Sequence, residues 1–312
     1  MITDFFCSLY SKVKNNNVFL EKIRFYSLLR FFIRISANLL LPLYYILTCD
    51  KKKYKLLDNR TANKRIIVSL TSFPARINRL WLVVETLLRQ SIKPDMVILW
   101  LSNKQFDKME SLPKRLLKLQ QRGLVIRFVN EDIRSHKKYF YALKEFPNDI
   151  VITVDDDVFY QSNILESLIL AHKKNPNVIC ANHAKLLHID NNNQIKYSNF
   201  NFVKTINSKS EKYIQIGIGG VLYPPNSLYK DVLNKELFMC LAPMADDLWL
   251  YSMARLNGCI VYKTSYRGIY LPVININNIN LSDSNCGNNG NDIQMRNIRE
   301  YYMRVKGINI FS

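Results

Sequence analysis

Glycine and proline are scarce in this chain, with 9 and 10 copies in 312 residues. That excludes a collagenous, low-complexity or largely disordered polypeptide. Six cysteines (Cys7, Cys49, Cys180, Cys240, Cys259 and Cys286) are scattered so widely that no CxxC metal or redox pair forms. Scattered cysteines without a secretory signal fit reduced thiols in the cytosol. The opening MITDFFCSLYSKVKNNN has an early Asp4 and only a short apolar stretch, which predicts no cleaved signal peptide. The four histidines all precede residue 190, and no Cys/His spacing suggests zinc. Neither a GxxxxGKS/T phosphate loop nor a GxGxxG dinucleotide fingerprint is present, which weighs against ATPase and dinucleotide chemistry. No internal repeat is found.

What the chain has is apolar mass and positive charge. Hydrophobic residues make up 48% and aromatics 12%, enough for a sizeable core, and the formal net charge is +19. Such an excess implies an anionic partner: nucleic acid, an anionic membrane or a phosphate-bearing substrate. Its position narrows the choice. Residues 1–65 hold 13 Lys or Arg against 4 Asp or Glu, so +9 lies in the first fifth of the chain, beside an apolar segment. In residues 18–49 apolar positions recur at helical spacing, interrupted by Lys22, Arg24, Arg30 and Arg34. The uncharged part, Ile35 to Cys49, is 15 residues long and contains Pro42, whereas a spanning helix needs about 20 apolar residues. The segment reads as basic, amphipathic and interfacial, assisted by the following DKKKYK. The competing expectation is a helical pair packed on the core. Residues 1–64 are thus expected to be a membrane-associating segment and 65–312 the main domain.

From residue 65 strands alternate with helices. RIIVSL, DMVILWLS, LVIRFVN and DIVITV read as strands. RLWLVVETLLRQS and KKYFYALKEF read as helices, and KMESLPKRLLKLQQRG as a broken helix stopped by Gly123. This order with short connections predicts a mainly parallel, mixed sheet covered on both faces. Further on, a helix is expected at 162–174 with Ser162 as cap, a strand at VICANHA, and an excursion at 188–212. A glycine-interrupted strand follows at IQIGIGGVLYPP, then a helix at ADDLWLYSMARLNG, a strand at IVYKTSY and a flexible loop at NNINLSDSNCGNNGND.

In open sheets of this kind ligands bind beyond the carboxyl ends of strands. DIVITVDDDVFY puts Asp155, Asp156 and Asp157 at such an end, and TSFPAR follows the first strand. Three adjacent carboxylates are costly to bury unpaired, so they are expected to be exposed or bound to a cation. On an extended backbone Asp155 and Asp157 share a face. A hard divalent cation takes one or two carboxylates and completes its shell with water and phosphate oxygens. Two chemistries fit. A metal stabilises a diphosphate leaving group during sugar transfer, or Asp155 serves as a phosphatase nucleophile with Asp157 as acid/base. The second pattern usually stands on a first strand, whereas this one follows the fourth, with Phe159 where Thr or Val is usual. Asp246 and Asp247 open a helix, where they can cap it and favour its dipole, or supply a general base.

VSLTSFPARI, VETLLRQSIKPDMVILWLS, DIVITVDDDVFY, GIGGVLYPP and ADDLWLYSMARLNG occur in that order. Over residues 65 to 295 the set resembles bacterial family-2-like glycosyltransferases of the GT-A fold, of the kind that build cell-surface polysaccharide. The resemblance implies that Thr71, Ser72, Phe73, Pro74 and Arg76 hold the donor nucleotide, with Arg76 meeting a phosphate or forming a surface salt bridge. Lys138 is implied near the donor diphosphate, against an exposed helix-start lysine as the plain alternative. Asp155 is implied near the ribose and a metal-bound water. Asp156 contacts the nucleotide or holds the turn. Asp157 binds Mn²⁺ or Mg²⁺. Gly219 and Gly220 border the sugar and acceptor, against a simple strand bulge. Asp247, or its neighbour Asp246, is the implied base, which means inversion at the anomeric carbon. Many relatives add a late His to the metal; lacking one, this chain offers Asp292 as a substitute, unless that residue is merely solvated. His183 and His188 could touch the acceptor or be structural.

The expected function is a metal-dependent transfer from a nucleotide-sugar, by default a UDP-sugar, to a glycan or lipid-linked glycan. The enzyme is expected on the cytoplasmic face of an anionic bacterial membrane. The alternatives are a phosphohydrolase using Asp155 and a basic nucleic-acid-binding protein. The latter lacks a helix-turn-helix, zinc-finger or ribonucleoprotein signature, so no nucleic-acid partner is expected.

Overall fold

Residues 33, 37, 41 and 45 recur every fourth position, so a helix turns them all to one side. Helix α3 (Phe25–Leu47) does this and runs unbroken through Pro42. It follows α1 (Ile2–Lys12) and α2 (Val18–Lys22) in the computed structural model, which describes residues 1–13, 17–22, 24–49, 64–190, 195–275 and 289–312. Ile33, Ala37, Leu41 and Tyr45 join Phe6, Cys7 and Val13 of the N-terminal segment in one core cluster with Leu80, Val84 and Leu87. Two polar ties fasten α1: the Thr3 and Tyr45 hydroxyls lie 2.7 Å apart, and Asp4 accepts from the backbone and hydroxyl of Ser162. The expectation of packing on the core therefore describes the inner face of α3. Its length differs from the sequence expectation: 23 residues are long and apolar enough to cross a membrane by length and composition, because the helix continues through the two arginines. The DKKKYK run lies outside the described residues.

Strands β1 (Ile66–Thr71), β2 (Met96–Ser102), β3 (Leu124–Val129) and β4 (Ile150–Thr153) alternate with α4 (Pro74–Leu88), the short α5 (Lys114–Lys118) and α6 (Lys137–Glu145). Side-chain alternation divides the core between the two sheet faces. Val68, Leu70, Leu99 and Ile152 point to the α4 side; Ile67, Ile98, Trp100 and Val151 pack with Ala142 and Phe146 around α6. Burial on both faces is what a parallel sheet requires. Pro74 opens α4 at its first turn, where its missing N–H costs nothing. Gly123, with φ +108°, ends the broken helix as expected.

After β5 (Val158–Phe159), helix α7 (Ile164–Lys174) leads to β6 (Ile179–Ala181) and β7 (Ala184–Leu186). Ser162 does not cap α7: Asn163 is the N-cap residue, and the Ser162 hydroxyl goes to Asp4 instead. The excursion carries β8 (Asn201–Phe202) and β9 (Ser208–Ser210). The glycine-interrupted strand splits into β10 (Tyr213–Gln215) and β11 (Val221–Tyr223), followed by α8 (Lys235–Leu241), α9 (Asp246–Leu256), β12 (Val261–Lys263), β13 (Leu271–Pro272) and α10 (Gly290–Lys306). Most of the expected tail loop lies outside the described residues, but Gly290 to Asp292 open α10. The main sheet runs β3-β2-β1-β4-β11-β6-β12-β9, with the first four strands parallel and β11 antiparallel to β4 and β6. The fold is a mixed α/β fold whose mainly parallel central sheet is flanked by helices, as the alternating pattern predicts.

Candidate active site

Because β1 and β4 pair in parallel, with Ser69 opposite Thr153, their carboxyl ends leave the sheet side by side. An open cleft of about 650 Å³ lies there, within the size range of small-molecule sites. Thr71, Ser72, Phe73 and Arg76 line it from the first loop, Asp155, Asp156 and Asp157 from the second, with Lys138, Asp246 and Asp247.

The three carboxylates are not alike: Asp156 is 7% exposed, whereas the side chains of Asp155 and Asp157 keep 28% and 30% of their surface. After Thr153 the chain leaves the strand and bends at Asp156 and Asp157, so Asp155 and Asp157 do not share the face of an extended strand. They take different cations. Arg76, only 7% exposed, places Nη1 2.6 Å from Asp156 and 3.0 Å from Asp157. Burial opposes its charge, but the two carboxylates hold its pKa above the ordinary value. Asp156 also accepts from the Ser72 hydroxyl at 2.5 Å, so it ties the first loop to the second. Arg76 is thus an internal clamp rather than a surface salt bridge. Asp157 keeps one oxygen, Oδ1, buried without a hydrogen-bond partner. Burial pushes its pKa to about 7 despite Arg76. The Tyr160 hydroxyl accepts from the backbone N–H of Asp155 at 2.8 Å and fixes the start of the bend.

Lys138 is 5% exposed, not an exposed helix-start lysine. Its Nζ lies 2.6 Å from Asp155 and 2.9 Å from Asp246, joining β4 to α9. Burial lowers its pKa, but Asp155, Asp246 and Asp247 outweigh that and raise it well above the usual lysine range. The backbone beneath is fixed as well: the Ser69 hydroxyl donates to the Lys138 carbonyl at 2.5 Å and accepts from Trp100 Nε1 at 2.9 Å.

Asp246 and Asp247 lie in the first turn of α9, but Ala245 is its N-cap residue and neither carboxylate caps it. Their surroundings push their pKa values in opposite directions. Burial works against the Asp246 anion, yet Lys138 and His136 lower its pKa overall. Asp247 accepts from the Gly217 N–H through both oxygens, at 3.0 and 3.1 Å. Burial first, then the Asp246 charge, raise its pKa to about 7 despite Lys138. The surroundings of one carboxylate favour its anion, and those of its neighbour favour the protonated form up to about pH 7, the range that suits proton transfer.

Gly219 and Gly220 do not line the cleft. A Cβ on Gly219 would meet the His183 ring at 2.3 Å, and Gly220, at φ +85°, faces Leu168, Ile164 and Val154. The glycine that serves the site is Gly217, where a Cβ would lie 3.1 Å from Asp247 Oδ1 and 3.2 Å from Lys138 Nζ. Three glycines in GIGG were visible in the sequence, but not which one faced the carboxylates. Asp292 is elsewhere: its Oδ1 accepts from the Tyr197 N–H at 2.6 Å. His183 packs edge-on to Phe202, Tyr266 and Tyr270, and His136 is buried between Tyr139, Phe238 and the Ala242 carbonyl. Sequence reasoning also missed Ile218, Met244 and Tyr270, which line the cleft as well.

Among the described residues, no group of three or more His, Cys, Asp or Glu side chains is arranged to hold a metal. A divalent cation does not need three protein ligands where phosphate oxygens and water complete its shell. Asp157 and Asp155 both line the cleft, and the buried Asp157 Oδ1 has no hydrogen-bond partner, a donor set that fits such an ion.

No known family profile and no curated protein sequence matches the chain. Among solved structures, S. aureus TarS residues 1–349 align over 78% of this chain and 66% of theirs, at 14% identity and a TM-score of 0.48. The same fragment in complex with UDP gives a TM-score of 0.47 over the same shares, again at 14% identity. The mannosyltransferase PcManGT from Pyrobaculum calidifontis, in complex with GDP-Man and Mn²⁺, aligns over 47% of this chain and 44% of its own, at 17% identity and a TM-score of 0.32. At these distances the likenesses assign no activity.

Proposed function

We propose that this cleft transfers a glycosyl group from a nucleoside-diphosphate sugar to a hydroxyl, on a GT-A-type scaffold. The observation that carries the reading is the division of labour between two adjacent carboxylates. Lys138 keeps Asp246 ionised, while Asp247, with a pKa of about 7, faces the cleft ready to take a proton.

In this reading the first loop, Thr71 to Arg76, borders the nucleotide, and Asp156 with Arg76 sets that loop against the Asp157 bend. Asp157 and Asp155 would hold a Mn²⁺ or Mg²⁺ ion, which would supply positive charge for a departing diphosphate. Asp247 removes the proton from the acceptor hydroxyl as its oxygen attacks the anomeric carbon. The bond from that carbon to the diphosphate oxygen breaks, and the electron pair leaves with the nucleoside diphosphate. Attack from the side opposite the leaving group inverts the anomeric centre. Lys138 offsets one of the two negative charges of Asp155 and Asp246, which lessens the anionic character between base and leaving group. The acceptor in this reading is a growing cell-surface glycan at the inner face of a bacterial membrane, and UDP is the default nucleotide.

The test is a panel of nucleotide-sugars supplied to the purified chain with Mn²⁺, scored for release of nucleoside diphosphate. Release that depends on an added glycan acceptor and disappears in Asp157→Ala supports the reading. Accumulation of a phospho-aspartate at Asp155 instead would assign the cleft to phosphoryl chemistry and end it.

A further inference from the structure

We propose that the outward face of α3 docks on an anionic lipid surface, with the helix lying flat on the bilayer rather than crossing it. This placement is independent of the chemistry in the cleft. Twelve residues of α3 are exposed: ten large hydrophobic side chains and two serines, Ser27 and Ser36. None is charged. Leu47 is 84% exposed, Leu39 64%, Leu43 57% and Phe32 56%. Both arginines within the helix are only partly exposed. Arg30 donates to the Val13 carbonyl at 2.7 Å, and Arg34 stacks on Phe31. Phe5, Leu9, Val18 and Phe19 add exposed apolar side chains on α1 and α2. A contiguous apolar face of this extent on a soluble protein marks an interaction surface.

The same helix is bound to the domain by its other face. Ile33, Ala37, Leu41 and Tyr45 are buried. Asn38 Nδ2 donates to the Pro272 carbonyl at 3.0 Å, and its Oδ1 accepts from the Ile274 N–H at 2.8 Å. Crossing a bilayer would strip these contacts from the core and leave the polar groups unpaired in hydrocarbon. A helix with one face on protein and an uncharged apolar face outward is suited to the boundary between headgroups and acyl chains.

Charge selects lipid over a second copy of the chain. Residues 1–65 carry a net +9. Lys22 and Arg24 are exposed just before the helix, and Lys51, Lys52, Lys53 and Lys55 follow it in sequence. Two such basic segments repel each other, whereas an anionic leaflet attracts one.

The experiment is co-sedimentation of the full chain with vesicles of phosphatidylglycerol and phosphatidylcholine, against phosphatidylcholine alone. Binding should need the anionic lipid and weaken with salt. Leu39→Glu with Leu43→Glu, both exposed and off the core, should lower vesicle affinity at least tenfold with unchanged thermal unfolding. A Phe32→Trp variant should shift its emission to the blue on vesicles and be quenched by lipids brominated in the acyl chain. Absence of binding to anionic vesicles, or full binding by the double glutamate variant, overturns the proposal. So does a dimer in solution that the double glutamate variant converts to monomer.

Discussion

Replacing Lys138 with Met tests the electrostatic core of the site directly. The side chain is 5% exposed and lies within 3 Å of two carboxylates, Asp155 at 2.6 Å and Asp246 at 2.9 Å. Methionine fills similar volume without charge, so the packing loss is small and the ionic loss dominates. Removing one partner of a buried ion pair typically costs about 3–5 kcal/mol, because the remaining charge is left uncompensated. Here Asp155 is partly solvated, so the lower half, about 3 kcal/mol at pH 8, is expected. Acid should restore much of it. Without the cation, Asp246 loses the contact that lowers its pKa, and its folded-state value rises above its unfolded one. A carboxylate with a raised folded pKa favours the native state more as pH falls, since the folded form then binds the extra proton. The gap between Lys138→Met and wild type should therefore narrow from pH 8 towards pH 5. Urea titrations at four pH values read this out, and adding Asp246→Asn to Lys138→Met should recover part of the loss at pH 8. A loss below about 1 kcal/mol with no pH dependence would mean that Lys138 is solvated and the bridge does not exist.

Asp247→Asn keeps the Gly217 contact but removes the base. Turnover should fall about 10²–10⁴-fold with donor KM unchanged, and the wild-type rise in rate through about pH 7 should flatten in the variant. The raised pKa also means that folded Asp247 binds a proton between the ordinary aspartate value of 3.8 and about 7. Its contribution to stability should therefore be full below that window and fall as pH rises through it, a slope that Asp247→Asn removes in urea titrations. Gly217→Ala pushes a methyl against Asp247 Oδ1 and Lys138 Nζ at 3.1 and 3.2 Å, so turnover should drop by about tenfold through misplacement, with circular dichroism unchanged. Asn38→Leu leaves the Pro272 carbonyl and Ile274 N–H without their partner, and about 1–3 kcal/mol of stability should be lost in thermal or urea unfolding.

Much of the framework could be seen in the sequence because it is local. The apolar run of residues 66–68, Pro74 at a helix start and Gly123 at a helix stop each announce themselves within a few positions. Partnership was not visible. Arg76 meets a carboxylate 80 positions away, and Lys138 meets one 108 positions away, so only the folded sheet brings them together. The strand expected over 178–184 breaks at the buried Asn182, whose amide donates to the carbonyls of Ile164 and Gly219. Helix α10 escaped notice because its buried Met295, Ile298 and Tyr302 are spread among charged residues behind an asparagine-rich stretch. The exchange of Gly217 for Gly219 has the same origin: in GIGG only the turn geometry decides which glycine approaches the carboxylates.

Helix α3 carries apolar side chains on both its inner and its outer face, and these alone would let it roll. Asn38 and the Tyr45 hydroxyl act as two keys that admit a single rotational setting, one engaging β13 and the other α1. Which leucines and phenylalanines meet the outside world is thus decided by polar atoms on the hidden side of the cylinder.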